Sequence, residues 1–336
     1  MLCKSEIHTY TFLDVWLSIH IIGELFMVKI KGPKKSSNFK SYMSRHWALY
    51  VMLLLPIAFF FIFSYVPMIN IMIAFTQNNI RIPVWQVPWV GLDNFRWAFN
   101  NIQFINAVRN TIMFSVLDLV IGFPAPIILA LLLNELKFRK FKRVTQTISY
   151  MPFFLSWIII GGLATRLFSP TIGSVNNIIV RMGFEPVPFL NSSTHWVITN
   201  VVLSVWRHVG WNTIIYLAAI TAVNPELYEA ADMDGASRIR KMWHVTLPGI
   251  RPVIIILFIL TIGQIMGADM ARFLALENLL VRDVSTVLPI FVFRWGIEGM
   301  QYHRAAAVGL MSSLINLALL FGANLIARKL GGSGLW

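Results

Sequence analysis

The chain has 336 residues, of which 57% are hydrophobic and only 13% charged, about half the roughly 25% charged fraction of a soluble domain. Its net charge of +13 is not spread as a nucleic-acid-binding face would need. The lysines sit in a few short stretches between long apolar runs, the pattern of a helical membrane protein with its positive loops on one side. One cysteine, Cys3, excludes an internal disulfide, and the scattered histidines show no metal-ligand spacing.

The first 28 residues are mixed. Phe12 to Ile30 is fairly apolar, but Asp14, His20 and Glu24 interrupt it. A charge at the centre of a span costs about 2.5–3.5 kcal/mol on insertion. The segment therefore reads as an interfacial amphipathic helix or a loosely ordered extension, not as an added span. No small-residue cleavage site follows it, and Met27 is an alternative start.

Six apolar segments follow, at about 47–75, 105–134, 146–168, 196–223, 250–276 and 301–327, each long enough to cross a bilayer as a helix. Lys29, Lys31, Lys34, Lys35 and Lys40 precede the first. Lys137, Lys140 and Lys142 lie between the second and third, Lys241 between the fourth and fifth, and Lys329 after the last. This alternation places both termini and the 135–145 and 224–249 loops in the cytoplasm. The loops at 76–104, 169–195 and 277–300 then face outward, with Trp85, Trp89 and Trp97 as interfacial aromatics. The chain divides into an N-terminal segment 1–46, a permeating domain 47–327 and a tail 328–336. Pro56, Pro67, Pro124, Pro126 and Pro152 fall within the spans, where they are expected to kink helices.

The loop before the fifth span is a charged island. Pro225 suits the first turn of a helix with Asn224 as its cap, and Glu226 and Glu229 favour that N-terminus. Gly235 permits a sharp turn. A second short helix is expected from Ala236 to about Val245, with Arg238, Arg240 and Lys241 exposed, before Pro248 opens the next span.

Glu229-Ala230-Ala231, Gly235 and Leu247-Pro248 stand at the spacing of the EAA loop. The island thus resembles the loop through which permeases of ATP-binding-cassette (ABC) importers engage their ATPases. Val245 replaces the usual Ile, and Asp234 lies within the same stretch. Val90-Gly91-Leu92-Asp93-Asn94-Phe95, Asn110-Thr111, Ala307 to Leu310, Ile315-Asn316 and the C-terminal Lys329 to Trp336 resemble the carbohydrate, maltose-permease-like branch that imports oligosaccharides.

The resemblance implies an all-α integral membrane protein of the type I ABC importer permease fold, with six transmembrane helices, in the bacterial inner membrane. It further implies a second homologous permease subunit, two ATPase subunits that bind ATP and Mg, and an extracytoplasmic solute-binding protein. The chain itself has no GxxxxGK[ST] loop to cradle phosphates. It is expected to bind no cofactor or metal and to catalyse no reaction. Glu229, Ala230, Ala231, Asp234, Gly235, Leu247 and Pro248 would couple it to the ATPases.

Sugars offer hydroxyls for hydrogen bonding and ring faces for stacking, so the passage should be lined by polar and aromatic groups of spans three to six. The candidates are Arg166, Trp206, Arg207, Trp211, Asn212, Tyr216, Gln264, Asp269, Arg272 and Arg294. Helix packing is the alternative for each aromatic, and snorkelling for arginines near span ends. The arginine excess suggests an anionic cargo such as a uronic-acid oligosaccharide. A permease for a peptide or amino acid is the rival reading. A membrane enzyme or receptor is a weaker one, since no interfacial His, Asp or Glu cluster and no large soluble loop occurs.

Overall fold

The computed structural model describes residues 39–79, 81–329 and 334–335; the expectations for residues 1–28, for the lysines before Phe39 and for most of the C-terminal tail lie outside them. The described residues form two compact units, divided between Met68 and Ile69. In the first, helix α1 (Phe39–Phe60) carries Pro56 inside it and passes into a π-helical turn, Phe61–Tyr65. Proline removes one rung of the helical ladder.

The second unit opens with the end of the first span, and Arg45–Phe75 as a whole is helical over 31 residues. A lone β-bridge joins Thr76 to Trp89. Helix α2 (Asp93–Asn100) follows. Its buried Asn94 donates through Nδ2 to the carbonyls of Ala74 (2.9 Å) and Thr76 (3.0 Å), tying the 76–104 loop to the end of the span. Helix α3 (Ile102–Leu117) starts at Asn101, whose side chain accepts from the amides of Gln103 and Phe104. A π turn at Asp118–Gly122 and helix α4 (Pro124–Glu135) complete the second span.

The third apolar segment is not one helix. Helix α5 (Arg139–Tyr150) and helix α6 (Trp157–Phe168) meet at 102°. Pro152 cannot donate to the ladder, Leu155 is extended, and Ser156 caps α6 by accepting from the amide of Ile159. The short helix α7 (Ser174–Arg181) precedes α8 (Ser193–Thr221), whose 29 residues span about 43 Å. The fifth segment is also broken. Helix α9 (Pro225–Met233) and helix α10 (Arg238–Lys241) form the island, and α11 (Arg251–Ile262) leaves it at 62°. The chain unwinds at 263–268 and resumes as α12 (Met270–Leu276). Helix α13 (Leu288–Phe293) lies in the loop before the last span, and α14 (Tyr302–Lys329) is that span.

Among the described residues, three uninterrupted helices thus have the length and apolar content to cross a membrane, and two bent pairs reach them jointly. The polar residues of α8 lower its hydropathy. Thr199, Asn200, Ser204 and Thr213 among them are buried against neighbouring helices. No helix-to-helix hydrophobic drive exists in lipid, so close packing has to supply the association. Phe114 meets Trp196 and Phe273 edge-on at 5.8 and 4.8 Å, and Trp196 donates to the Leu276 carbonyl at 2.8 Å. Two glycines let backbones touch: a Cβ on Gly161 would lie 2.3 Å from the Ala275 carbonyl oxygen, and one on Gly210 would lie 2.0 Å from that of Ser149.

Candidate functional site

The π turn of the second span, the unwound stretch of the fifth and α8 line one cavity. The unwound stretch is held by side chains of other spans. Ser115 donates to the Ile265 carbonyl at 2.5 Å, and the Asn316 side chain accepts from the Met266 amide at 2.9 Å. Irregular backbone at membrane depth is tolerated where it is buried in protein or lines a cavity. Here it lines one of about 410 Å³.

Ser204, His208, Asn212 and Tyr216 border this cavity from α8. They are spaced by four, so they form one stripe along the helix. Ser115 and Asp118 contribute from the second span, and Thr261, Gln264, Asp269 and Arg272 from the fifth. Among the candidates drawn from sequence, the structure therefore gathers Asn212, Tyr216, Gln264, Asp269 and Arg272. Asp118 and Ser115 escaped that reading because it looked only to spans three to six, and Ser204, His208 and Thr261 because it picked charged, aromatic and amide groups there. Asp118 was visible as a charge inside an apolar run, the signal that marks intramembrane sites.

Arg272 is almost fully enclosed. Its Nε donates to Asn200 Oδ1 at 2.7 Å and its Nη1 pairs with Asp118 at 2.6 Å, with side-chain exposures of 4% for the arginine and 37% for the aspartate. The guanidinium also lies 5.2 Å from the Phe273 ring centroid and 5.8 Å from that of Phe114. It is thus an internal tie between spans two, four and five, with the partly open carboxylate of Asp118 left at the cavity wall. Asp269 caps α12 by accepting from the amides of Ala271 and Arg272, and its other oxygen accepts from Trp157 Nε1 at 2.6 Å.

The remaining candidates lie elsewhere. Arg207 stacks over Trp157 (4.8 Å) and Phe153 (5.6 Å) and donates to the Leu155 carbonyl at the break of the third span. Trp211 stacks in parallel on Phe153 at 4.5 Å. Both hold the α5–α6 bend against α8. Trp206 borders a separate apolar groove with Leu117, Ile121 and Val202. Arg294 pairs with Glu277 at 2.5 Å and donates to Thr286, fastening the 277–300 loop. Arg166 is exposed in the last turn of α6.

The island folds much as its punctuation dictates. Asn224 accepts from the Glu226 amide at 3.1 Å, and Pro225 opens α9. Gly235 has φ +69° with open space around it, so its backbone conformation rather than crowding demands glycine. Ser237 caps the return arm, which begins at Arg238 rather than Ala236. Arg238 and Arg240 are exposed as expected, but Lys241 turns inward to Asp232 at 2.6 Å. Glu229 and Ala230 face solvent, and Ala231 is half-buried. Leu227, Met233, Ile239 and Trp243 add exposed apolar surface to the lobe.

A broken-helix cavity beside a capped helical lobe defines the permease class of membrane transport subunit. Residues 122–332 match the family described as binding-protein-dependent transport system inner membrane component, and the chain belongs to it. It is similar to protein LplB of Bacillus subtilis (strain 168), with 39% identity over 90% of this chain and 95% of that protein. The polygalacturonan/rhamnogalacturonan transport system permease protein YteP of the same organism is 40% identical over 86% of this chain and 90% of its own length. A crystal structure of a bacterial alginate ABC transporter in complex with an alginate pentasaccharide-bound periplasmic protein has a chain of the same fold. It is 34% identical, with TM-score 0.82, covering 89% of this chain and all of that one. The present chain is accordingly a transport subunit of an ABC importer, not an enzyme, and the all-α type I permease fold expected from sequence is the fold it has.

Proposed function

We propose that this chain passes oligosaccharides, acidic ones included, across the inner membrane of a bacterium through the cavity between spans two, four and five. The observation that carries this reading is the polar stripe Ser204, His208, Asn212 and Tyr216 set against the unwound 263–268 stretch. Discontinuous helices near mid-membrane are the usual architecture of transporter binding sites. The stripe supplies hydrogen-bonding groups suited to sugar hydroxyls.

The acidic cargo rests on the relatives, whose names include polygalacturonan, rhamnogalacturonan and alginate, more than on this chain's arginines. Arg272 and Arg294 are paired to Asp118 and Glu277, and Arg207 is stacked. The test is binding-protein-dependent uptake of galacturonate oligosaccharides against neutral oligosaccharides of equal length. Preferential uptake of the uronates is expected, and equal uptake of both would remove the acidic assignment.

The assembly implied is a heterodimer with a second permease, two ATPases carrying ATP and Mg, and an extracytoplasmic binding protein. Residues 224–248 dock on an ATPase, with Glu229, Ala230, Ala231, Asp234, Gly235, Leu247 and Pro248 as the coupling set. Closure of the ATPases on ATP moves this lobe, and the permease pair opens outward to receive the sugar. The domain limits follow: an N-terminal segment 1–46, the permeating domain 47–327 and a tail 328–336, both termini cytoplasmic. Gly235→Val should abolish uptake while leaving membrane insertion intact, because a branched residue is a genuine outlier at positive φ. Normal uptake by that variant would count against docking at this turn.

A further inference from the structure

The lobe at 224–248 is closed by contacts at three levels. At its base, a Cβ on Gly249 would lie 2.7 Å from Val223 Cγ2, so the two arms touch where they join the membrane helices. Midway, the Tyr228 hydroxyl donates to Thr246 Oγ1 at 2.9 Å, and Thr246 is fully buried. Nearer the tip, Lys241 Nζ pairs with Asp232 at 2.6 Å.

The outgoing arm presents its two partners simply. Tyr228 and Asp232 are four apart on α9 and share a face. The return arm does not. Lys241 and Thr246 are five apart, and in a regular α-helix five residues turn about 140° past alignment. The return arm is not regular there. Met242–Thr246 form a π turn, closed by the Leu247 amide donating to the Met242 carbonyl. The wider turn brings position 246 back over 241, and the Thr246 hydroxyl lies 3.5 Å from the Lys241 carbonyl. The π turn therefore has a specific consequence: it aims both return-arm partners at α9. Such turns concentrate at functional positions.

We infer that Tyr228, Thr246, Asp232 and Lys241 are positioning residues that brace the lobe into one rigid lever, so that displacement of α9 is delivered through the π turn to the fifth span. This inference rests on the coupling role proposed for the lobe. A loose hairpin with the same docking surface would absorb the movement in its own hinge.

The test uses the assembled transporter in proteoliposomes. Cys3 is the only cysteine, so a Cys3→Ser background with Asn212→Cys reports cavity exposure through its reaction with a membrane-impermeant maleimide, with and without ATP and vanadate. The parent should show an ATP-dependent change in labelling rate. Tyr228→Phe combined with Lys241→Gln should diminish that change by about fivefold, the scale of one lost hydrogen bond, while the ATPases co-purify undiminished and still hydrolyse ATP. Thr246→Ser, which keeps the hydroxyl, should behave as the parent.

An undiminished ATP-dependent change in Tyr228→Phe/Lys241→Gln overturns the brace. So does loss of ATPase co-purification in Tyr228→Phe alone, which would assign the hydroxyl to docking. Failure of the coupling role itself would look different: Gly235→Val would keep both co-purification and the full change in labelling.

Discussion

At the scale of single residues, the decisive side chains are those that satisfy backbone or charge in the absence of water. Arg272 uses Nε and Nη1 on Asn200 and Asp118, so its removal leaves a carboxylate without its cation. Arg272→Gln should lower unfolding free energy by about 2–3 kcal/mol, less than the full cost of splitting a buried pair because Asp118 is partly exposed. Asp118→Asn should cost less, since Asn200 and the aromatic rings still hold the arginine. Thermal unfolding of the purified subunits in detergent checks both, and a harmless Arg272→Gln would refute the tie.

Other residues were legible in sequence but not for their reason. Asn94 and Asn110 supported the family resemblance, and both prove to be anchors of backbone. Asn110 donates to the carbonyls of Asp283 and Thr286, and neighbouring Thr111 accepts from the Leu288 amide. No local spacing announces a partner more than 170 positions away.

At the scale of elements, local punctuation was readable and long-range breaks were only partly so. Asn224, Pro225 and Gly235 act through neighbouring backbone, so cap, first turn and tight turn follow directly from residue type. The breaks at 151–156 and 263–268 hid inside apolar runs because hydropathy does not register backbone geometry. Pro152 signalled the first, and Gly263 and Gly267 flank the second.

Adjacent glycines in α6 give a sharp test of the packing. Gly161 faces the Ala275 carbonyl, whereas Gly162 has nothing within 4 Å of where a Cβ would stand. Gly161→Ala should destabilise by about 1–3 kcal/mol through overpacking, while Gly162→Ala should be neutral or stabilising by up to about 1 kcal/mol through reduced chain entropy. The melting temperatures of the two variants should move apart, and equal shifts would show that α6 and α12 do not meet at this glycine.

At the scale of the whole molecule, lysine placement and the island carry the topology and the coupling role proposed above. Met233 is 89% exposed in the lobe. In a Cys3→Ser background, Met233→Cys should react with an impermeant maleimide in inside-out vesicles and not in right-side-out ones. Reaction from outside would invert the topology. Arginines counted along a chain say nothing of their pairing. Arg272 and Arg294 are matched with Asp118 and Glu277, so the sugar contact proposed above falls to the polar stripe of α8 and to Gln264 beside it.

That stripe is tested most directly by uptake. Asn212 and Gln264 both border the cavity and are exposed within it, so replacing both by leucine removes hydrogen-bonding groups without opening a packed core. In proteoliposomes holding the complete transporter and its binding protein, ATP-driven uptake of galacturonate oligosaccharides should fall about tenfold or more, a loss of at least 1.4 kcal/mol, about the net worth of one or two hydrogen bonds. ATPase co-purification should be unchanged. Uptake equal to the parent's would contradict the placing of the sugar passage between spans two, four and five.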